Sequence, residues 1–318
     1  MKPIQLLELF GGVGAPRCAL RNLGVPVKSI DYVEIDEKAV RSYNAMFANE
    51  LAYRVQDIRG WNLRPDVLVH GSPCQDFSIA GHQKGADPNS GTRSSLMWET
   101  LRIIRNLGAW KPRLVVWENV PNVLSKHMRH NFDKYLHEMN QMRYVNSYAT
   151  LNAADFGLPQ NRRRVFTVST IDTKPFNFDR LQRRDPTPIR EFLEATDAPQ
   201  YVVRQPSMLR KIGRRKNGFN GYVQVITDMA QTITTAQMRC PNSGVIDTGH
   251  GYRYLTEREC WRLQGFSDAD YEAAAEVNPS KSGCMNGILY RQAGNAMPVT
   301  VLEEILDKAL IHQEKEQQ

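Results

Sequence analysis

Short apolar runs alternate with stretches of helical period through the first half of the chain. Residues 4–10 form an apolar run that stops at Gly11-Gly12-Val13-Gly14, and residues 15–23 then follow a helical pattern. Residues 29–34 predict a second strand and 37–47 a second helix. A short third strand is expected at 54–58, and a fourth at 66–70, ending on Gly71-Ser72-Pro73-Cys74. A helix over 98–107 precedes the apolar run 113–117, which ends on Glu118-Asn119-Val120. A helix at 126–142 and strands at 145–151 and 165–169 follow. Such alternation predicts a parallel α/β sheet.

Two stretches break the rhythm. Residues 81–95 (GHQKGADPNSGTRSS) are too long and too rich in Gly, Ser, Asp and Asn for an ordinary connection, which suits a lid, a binding loop or a disordered segment. From Asp172 to about Tyr254 the chain is richer in Pro, Gly, Arg and Gln, and strand–helix alternation is lost. This segment reads as a smaller module. Patterned sequence then returns, with a final helix predicted over 299–311 behind Pro298 and a tail, HQEKEQQ, expected to fray. The chain shows no internal repeat.

Composition narrows the class. The 318 residues are 41% hydrophobic and 24% charged, as in a soluble enzyme, and no apolar stretch approaches the roughly 20 residues that span a bilayer. The N-terminus runs straight into a strand and a glycine turn, which is unlike a signal peptide, so a cytoplasmic protein is expected. Five scattered cysteines include no CxxC pair, and the seven histidines offer no HExxH, so neither a disulfide framework nor a metal site is expected. The formal net charge is +7. From Arg204 to Lys216 there are six basic residues and no acidic one, and Gln160-Asn161-Arg162-Arg163-Arg164 adds a second basic knot.

A strand, then Gly11-Gly12-Val13-Gly14, then a helix is the layout of a nucleotide-binding crevice, where glycines admit the ligand and free helix N–H groups face its anionic end. Glu34 closes the second strand 20 residues after Gly14, where a carboxylate can accept from ribose hydroxyls. NAD, FAD and S-adenosylmethionine all use this geometry. Asp57 could reach an adenine amino group or be an ordinary solvated carboxylate. Cys74 and Glu118 follow predicted strands, while Arg162 and Arg164 precede one, so all could face one crevice at the carboxyl edge of the sheet. A thiolate nucleophile, a proton-donating acid and an arginine fork suit addition of sulfur to an electron-poor ring. Taken singly, Cys74 is equally a buried filler, Glu118 a helix cap and QNRRR a solvated turn.

In combination the motifs resemble the DNA cytosine C5-methyltransferases of bacterial and phage type. The signatures stand in that family's order: Phe10-Gly11-Gly12-Val13-Gly14, Gly71-Ser72-Pro73-Cys74-Gln75, Glu118-Asn119-Val120 and Gln160-Asn161-Arg162-Arg163-Arg164. They continue with Leu255-Thr256-Glu257-Arg258-Glu259, Arg262-Leu263-Gln264-Gly265-Phe266 and Gln292-Ala293-Gly294-Asn295-Ala296-Met297-Pro298. Three positions depart: Glu8 where the family usually has Asp, Ala15 where many members have Gly, and Ala80 where some relatives have a small polar residue.

The resemblance implies a Rossmann-like, S-adenosylmethionine-dependent methyltransferase sheet carrying a smaller target-recognition domain. Residues 1–171 would be the catalytic and cofactor domain, 172–286 the recognition domain, and 287–318 a segment returning to the first. It further implies that Cys74 attacks C6 of a cytosine flipped out of duplex DNA, with Glu118 at N3 and the exocyclic amine. Arg164 would contact O2, and Arg162 would support Glu118 and the backbone. The cofactor, released as S-adenosylhomocysteine, would meet Phe10, Gly12, Gly14, Glu34, Ile35, Asp57, Pro73, Asn295 and Ala296. For DNA the implied contacts are Gln75, Ser78 and Arg93 in the loop, and Arg210, Lys211, Arg214, Arg215, Lys216, Thr232 and Thr234 in the module. The enzyme is expected to act as a monomer, without metal or membrane, any cognate restriction endonuclease acting separately. Three other readings compete: a tRNA cytosine methyltransferase of the same fold, a catalytically inactive DNA-binding regulator and, on the glycine turn alone, an NAD-dependent oxidoreductase.

Overall fold

The computed structural model describes residues 2–48, 52–55, 57–58, 64–72, 96–171, 174–213 and 222–311. Ten strands lie among them: β1 (Ile4–Leu9), β2 (Val27–Val33), β3 (Val67–His70), β4 (Leu114–Asn119), β5 (Val145–Asn152), β6 (Gln160–Asn161), β7 (Arg163–Thr170), β8 (Ala230–Gln231), β9 (Ile246–Asp247) and β10 (Tyr252–Arg253). The helices are α1 (Ala15–Asn22), α2 (Glu37–Met46), α3 (Met97–Leu107), α4 (Arg129–Gln141), α5 (Pro206–Leu209), α6 (Glu257–Arg262), α7 (Asp268–Val277), α8 (Gly287–Asn295) and α9 (Val299–Leu306).

Six strands form the main sheet in the order β2-β1-β3-β4-β7-β5. The first four are parallel, whereas β7 runs antiparallel to both β4 and β5. The sheet is therefore not wholly parallel, and the start of β7 comes to the edge where β1, β3 and β4 end. The strand expected at 54–58 is not seen among the described residues: 52–55 and 57–58 carry no ladder, and β1 pairs directly with β3.

Period-two alternation explains why both faces of the sheet are covered. Val67 and Val69 of β3, with Leu114 and Val116 of β4, join a core shared with α1, α2 and the C-terminal helices. Leu68, Val115 and Trp117 point the other way, into a core completed by Ile103 and Ile104 of α3 and Phe132 and Tyr135 of α4. The result is a helix–sheet–helix sandwich. Helix α9 packs on α1, and α7 on α2, so the end of the chain closes back over its beginning.

Local capping sets the starts of these C-terminal helices. Thr256 and Glu259 form a reciprocal capping box at α6, and Ser267 and Asp270 form one at α7. The segment between β7 and α6 is mostly irregular. Val203, Ile212, Val223, Val245 and Tyr254 build a small core of their own there, fastened by isolated bridges and the β9–β10 hairpin.

Candidate active site at the carboxyl edge of the sheet

The turn after β1 is shaped by what lies beneath it. Phe10, Gly12 and Gly14 adopt φ of 55°, 56° and 79°, and Gly14 hands the chain into α1 from the left-handed region. A Cβ on Gly11 would sit 2.6 Å from the Tyr32 ring, and one on Gly14 would sit 2.6 Å from the Tyr43 ring. At Gly12, in contrast, an added Cβ would meet nothing within 4 Å. The turn thus rests on aromatic rings and presents an open cradle above. The Tyr32 hydroxyl donates to the Gly12 carbonyl at 2.5 Å.

Glu34 stands just past β2. Its Oε2 accepts from the Gly12 N–H at 3.0 Å, and its Oε1 from the amides of Ile35 and Asp36 at 2.7 and 2.9 Å. Ile35 beside it is 69% exposed, an apolar face next to a carboxylate. An open glycine cradle, an acceptor and a bare apolar side chain fit the two ends of a nucleoside. Asp57 is exposed.

Below the turn, the Tyr43 hydroxyl donates to Glu8 Oε2 at 2.5 Å and accepts from Arg17 Nη1 at 2.8 Å. All three side chains are buried. Burial pushes the Glu8 carboxyl up to about 7, against the pull of the Tyr43 and Arg17 contacts.

At the next strand ends, β3 and β4 pair His70 with Trp117, so Gly71 and Glu118 leave the ladder side by side. A Cβ at Gly71 would come within 4.0 Å of Glu118 Oε2. The Trp117 indole N–H donates to Ser72 Oγ at 3.0 Å, tying the two strand ends together. Glu118 pairs across the antiparallel ladder with Phe166, which makes Arg164 its diagonal neighbour on the same face. Arg164 Nε lies 3.0 Å from Glu118 Oε1, both side chains being 13% exposed. The guanidinium takes one oxygen of Glu118 and leaves the other for a substrate.

A profile of the C-5 cytosine-specific DNA methylases matches residues 4–197 and 192–310. The chain belongs to that family. A type II methyltransferase of Lactococcus lactis subsp. cremoris, M2.ScrFI, is 30% identical over 304 residues, covering 90% of this chain and 79% of the relative. M.Bsp6I, a type II methyltransferase of Bacillus sp. strain RFL6, is 30% identical and covers 96% and 98%. An orphan methyltransferase of Bacillus phage SPR is 24% identical, with 98% of each chain covered. In fold, the chain is similar to the Entamoeba histolytica methyltransferase EhMeth, with TM-score 0.76, 16% identity and coverage of 98% and 99%. S. pombe Dnmt2 gives TM-score 0.75 and 19% identity, with coverage of 98% and 99%.

In this DNA cytosine methyltransferase the QNRRR motif is a structural hub. Gln160 is fully buried: its amide donates to the Leu263 carbonyl at 2.7 Å and accepts from the Ile233 N–H at 3.0 Å. Arg162, 2% exposed, donates to the carbonyls of Ile233, Gly294 and Ala296 at 3.0, 3.0 and 2.9 Å. Thr232 Oγ1 donates to the Asn161 carbonyl, and a Cβ at Gly294 would fall 2.5 Å from the Thr234 backbone. The Thr232–Thr234 stretch is thereby wedged between the start of β7 and the end of α8.

Expected site residues fall into groups. Glu118, Arg164 and Gly71 converge at one edge, and the glycine turn and Glu34 lie along it. Arg162 binds backbone carbonyls, joining Thr232–Thr234 to Ala296, while Asn295 is exposed. Arg210 and Lys211 are exposed beside α5 in the small module. Pro73, Cys74, Gln75, Ser78, Arg93, Arg214, Arg215 and Lys216 lie outside the described residues. Tyr32, Tyr43, Trp117, Gln160 and Gly294 were not singled out for roles in the sequence. Gln160 and Gly294 sat inside quoted motifs, but no local pattern marks the other three as supports of a site. Among the described residues, no group of three or more His, Cys, Asp or Glu could hold a metal, and no helix is long and apolar enough to cross a membrane.

Proposed function

We propose that this enzyme methylates C5 of a flipped cytosine in a specific duplex DNA sequence through a covalent Cys74–C6 adduct. The observation that carries the reading is the Glu118–Arg164 pair, 3.0 Å apart, at the sheet edge reached by Gly71, three residues before Cys74. Cytosine C5 is a weak nucleophile until a thiolate adds to C6. As the Cys74 Sγ–C6 bond forms the C5–C6 π bond breaks, and a proton equivalent to that lost by the thiol is taken up at N3, where Glu118 stabilises it and accepts from the exocyclic amine while Arg164 donates to O2. The ring π-electrons then reside at C5, which can take a methyl group. Phe10, Gly12, Gly14 and Glu34, with Ile35 beside them, would hold S-adenosylmethionine, which would supply that methyl and leave as S-adenosylhomocysteine. Loss of the C5 proton returns the electrons to the C5–C6 bond and expels Cys74.

The small module around Val203–Tyr254 is our choice for target recognition, its exposed Arg210 and Lys211 suiting phosphate contacts. The enzyme acts as a monomer, and any cognate endonuclease acts separately.

Bisulfite sequencing of DNA from cells expressing the protein tests the reading. One sequence context should become methylated with the wild type and none with Cys74→Ala. Methyl transfer to tRNA but not to duplex DNA would replace the substrate, and full activity of Cys74→Ala would overturn the covalent route.

A further inference from the structure

Residues 32 and 34 are two apart along an extended chain, and period two puts both on the side of β2 that faces the glycine turn. They hold the same residue from opposite ends. Tyr32 donates its hydroxyl to the Gly12 carbonyl, and Glu34 accepts the Gly12 N–H. Gly12 has φ of 56° and open space where a side chain would be; the peptide before it is also held by the Gly14 N–H on the Gly11 carbonyl, whereas the Gly12 carbonyl itself accepts from the Tyr32 hydroxyl. Glycine loses more conformational freedom on ordering than any other residue, and here the freedom lies at the cradle itself.

We propose that Tyr32 is a positioning residue for the methyl donor, its hydroxyl fixing the Gly12 peptide in the orientation that the cofactor meets. This rests on the cofactor assignment made above. Tyr32 is fully buried and stacked on Tyr43, with ring centroids 3.7 Å apart, so the hydroxyl is delivered by a ring that cannot swing away. Burial and the nearby carboxylates of Glu34 and Glu8 push its ionisation far upward, so it remains a donor at every working pH. The same ring closes the space a Gly11 side chain would need, which makes Tyr32 a template for two successive residues of the turn. Glu34 alone would leave the Gly12 carbonyl free to rotate.

Tyr32→Phe tests this, because it keeps the stacked ring and deletes only the hydroxyl. Binding of S-adenosylhomocysteine would be followed by calorimetry, and the KM for S-adenosylmethionine and kcat measured on DNA that the wild type methylates. The dissociation constant and KM should rise about fivefold to tenfold, the worth of one ordinary buried hydrogen bond, with kcat and the KM for DNA unchanged. A purely structural role would instead lower the melting temperature and the active fraction and leave cofactor KM alone; that result overturns the inference, as does binding within twofold of wild type. Should the wild type itself fail to bind S-adenosylhomocysteine, the cofactor assignment falls and takes this inference with it.

Discussion

Arg164 Nε and Glu118 Oε1, 3.0 Å apart, join two strands that run in opposite directions. The antiparallel turn of β7 brings an arginine at a strand's beginning to a glutamate at another's end. Both side chains are largely buried, so each charge offsets part of the desolvation cost of the other.

Glu118→Gln keeps the shape and removes the charge that Arg164 and a protonated ring both require. Single-turnover methyl transfer should fall by about a hundredfold or more, while S-adenosylhomocysteine binding is retained. Arg164→Lys should also be slow, since an ammonium cannot reproduce the planar fork. Rates near wild type for Glu118→Gln would remove the carboxylate from the chemistry.

Arg162→Met should act first on stability. It leaves the carbonyls of Ile233, Gly294 and Ala296 without their guanidinium donor in a buried setting. A loss of about 3 kcal/mol is expected in urea unfolding, because unmet buried acceptors cost about 1–3 kcal/mol each and partial relaxation recovers some of it. An unchanged urea midpoint would show that other groups hold the three segments together.

Gly294→Ala probes the same junction without touching charge. The added methyl would stand 2.5 Å from the backbone of Thr234 and Thr235, which cannot yield as a flexible side chain would. The variant should lose about 1–3 kcal/mol. It should also methylate more slowly as Thr232–Thr234 is displaced, and wild-type thermal stability would argue against a tight wedge.

Glu8 gives a pH dependence with a definite sign. Its carboxyl is raised from 4.5 to about 7 by burial, so the folded state holds a proton that the unfolded state releases. The associated stability is fully present below about pH 4.5 and is lost as pH rises through 7, a difference of about 3 kcal/mol. His70, pushed down to about 3 by burial, works in the other direction, its contribution being lost as pH falls. The informative quantity is therefore the difference between wild type and Glu8→Gln. The variant should gain on wild type between pH 5 and 8, and parallel curves would contradict the assignment.

Much of this protein was legible in one dimension. Apolar periodicity located nearly every strand and helix of the sheet, because period two and period 3.6 are local properties of the chain. The motif order identified the family and offered Cys74 as the nucleophile, since a reactive side chain keeps its chemistry wherever it sits. Among the described residues of the strand expected at 54–58 none is in a ladder, and β1 pairs with β3 instead. What only the tertiary structure decided were meetings across long separations: Arg162 with Ile233, 71 residues apart, and with Gly294, 132 apart. The sequence offered Arg162 as a support for Glu118 and the backbone, and the fold shows which backbone carbonyls it binds, those that join two distant segments. Tyr32 gained its relation to Gly12 in the same way, through β1 and β2 lying side by side. Sequence carries the reagents and the local periods; which of them touch is set by chain closure, and that is a property of the whole core.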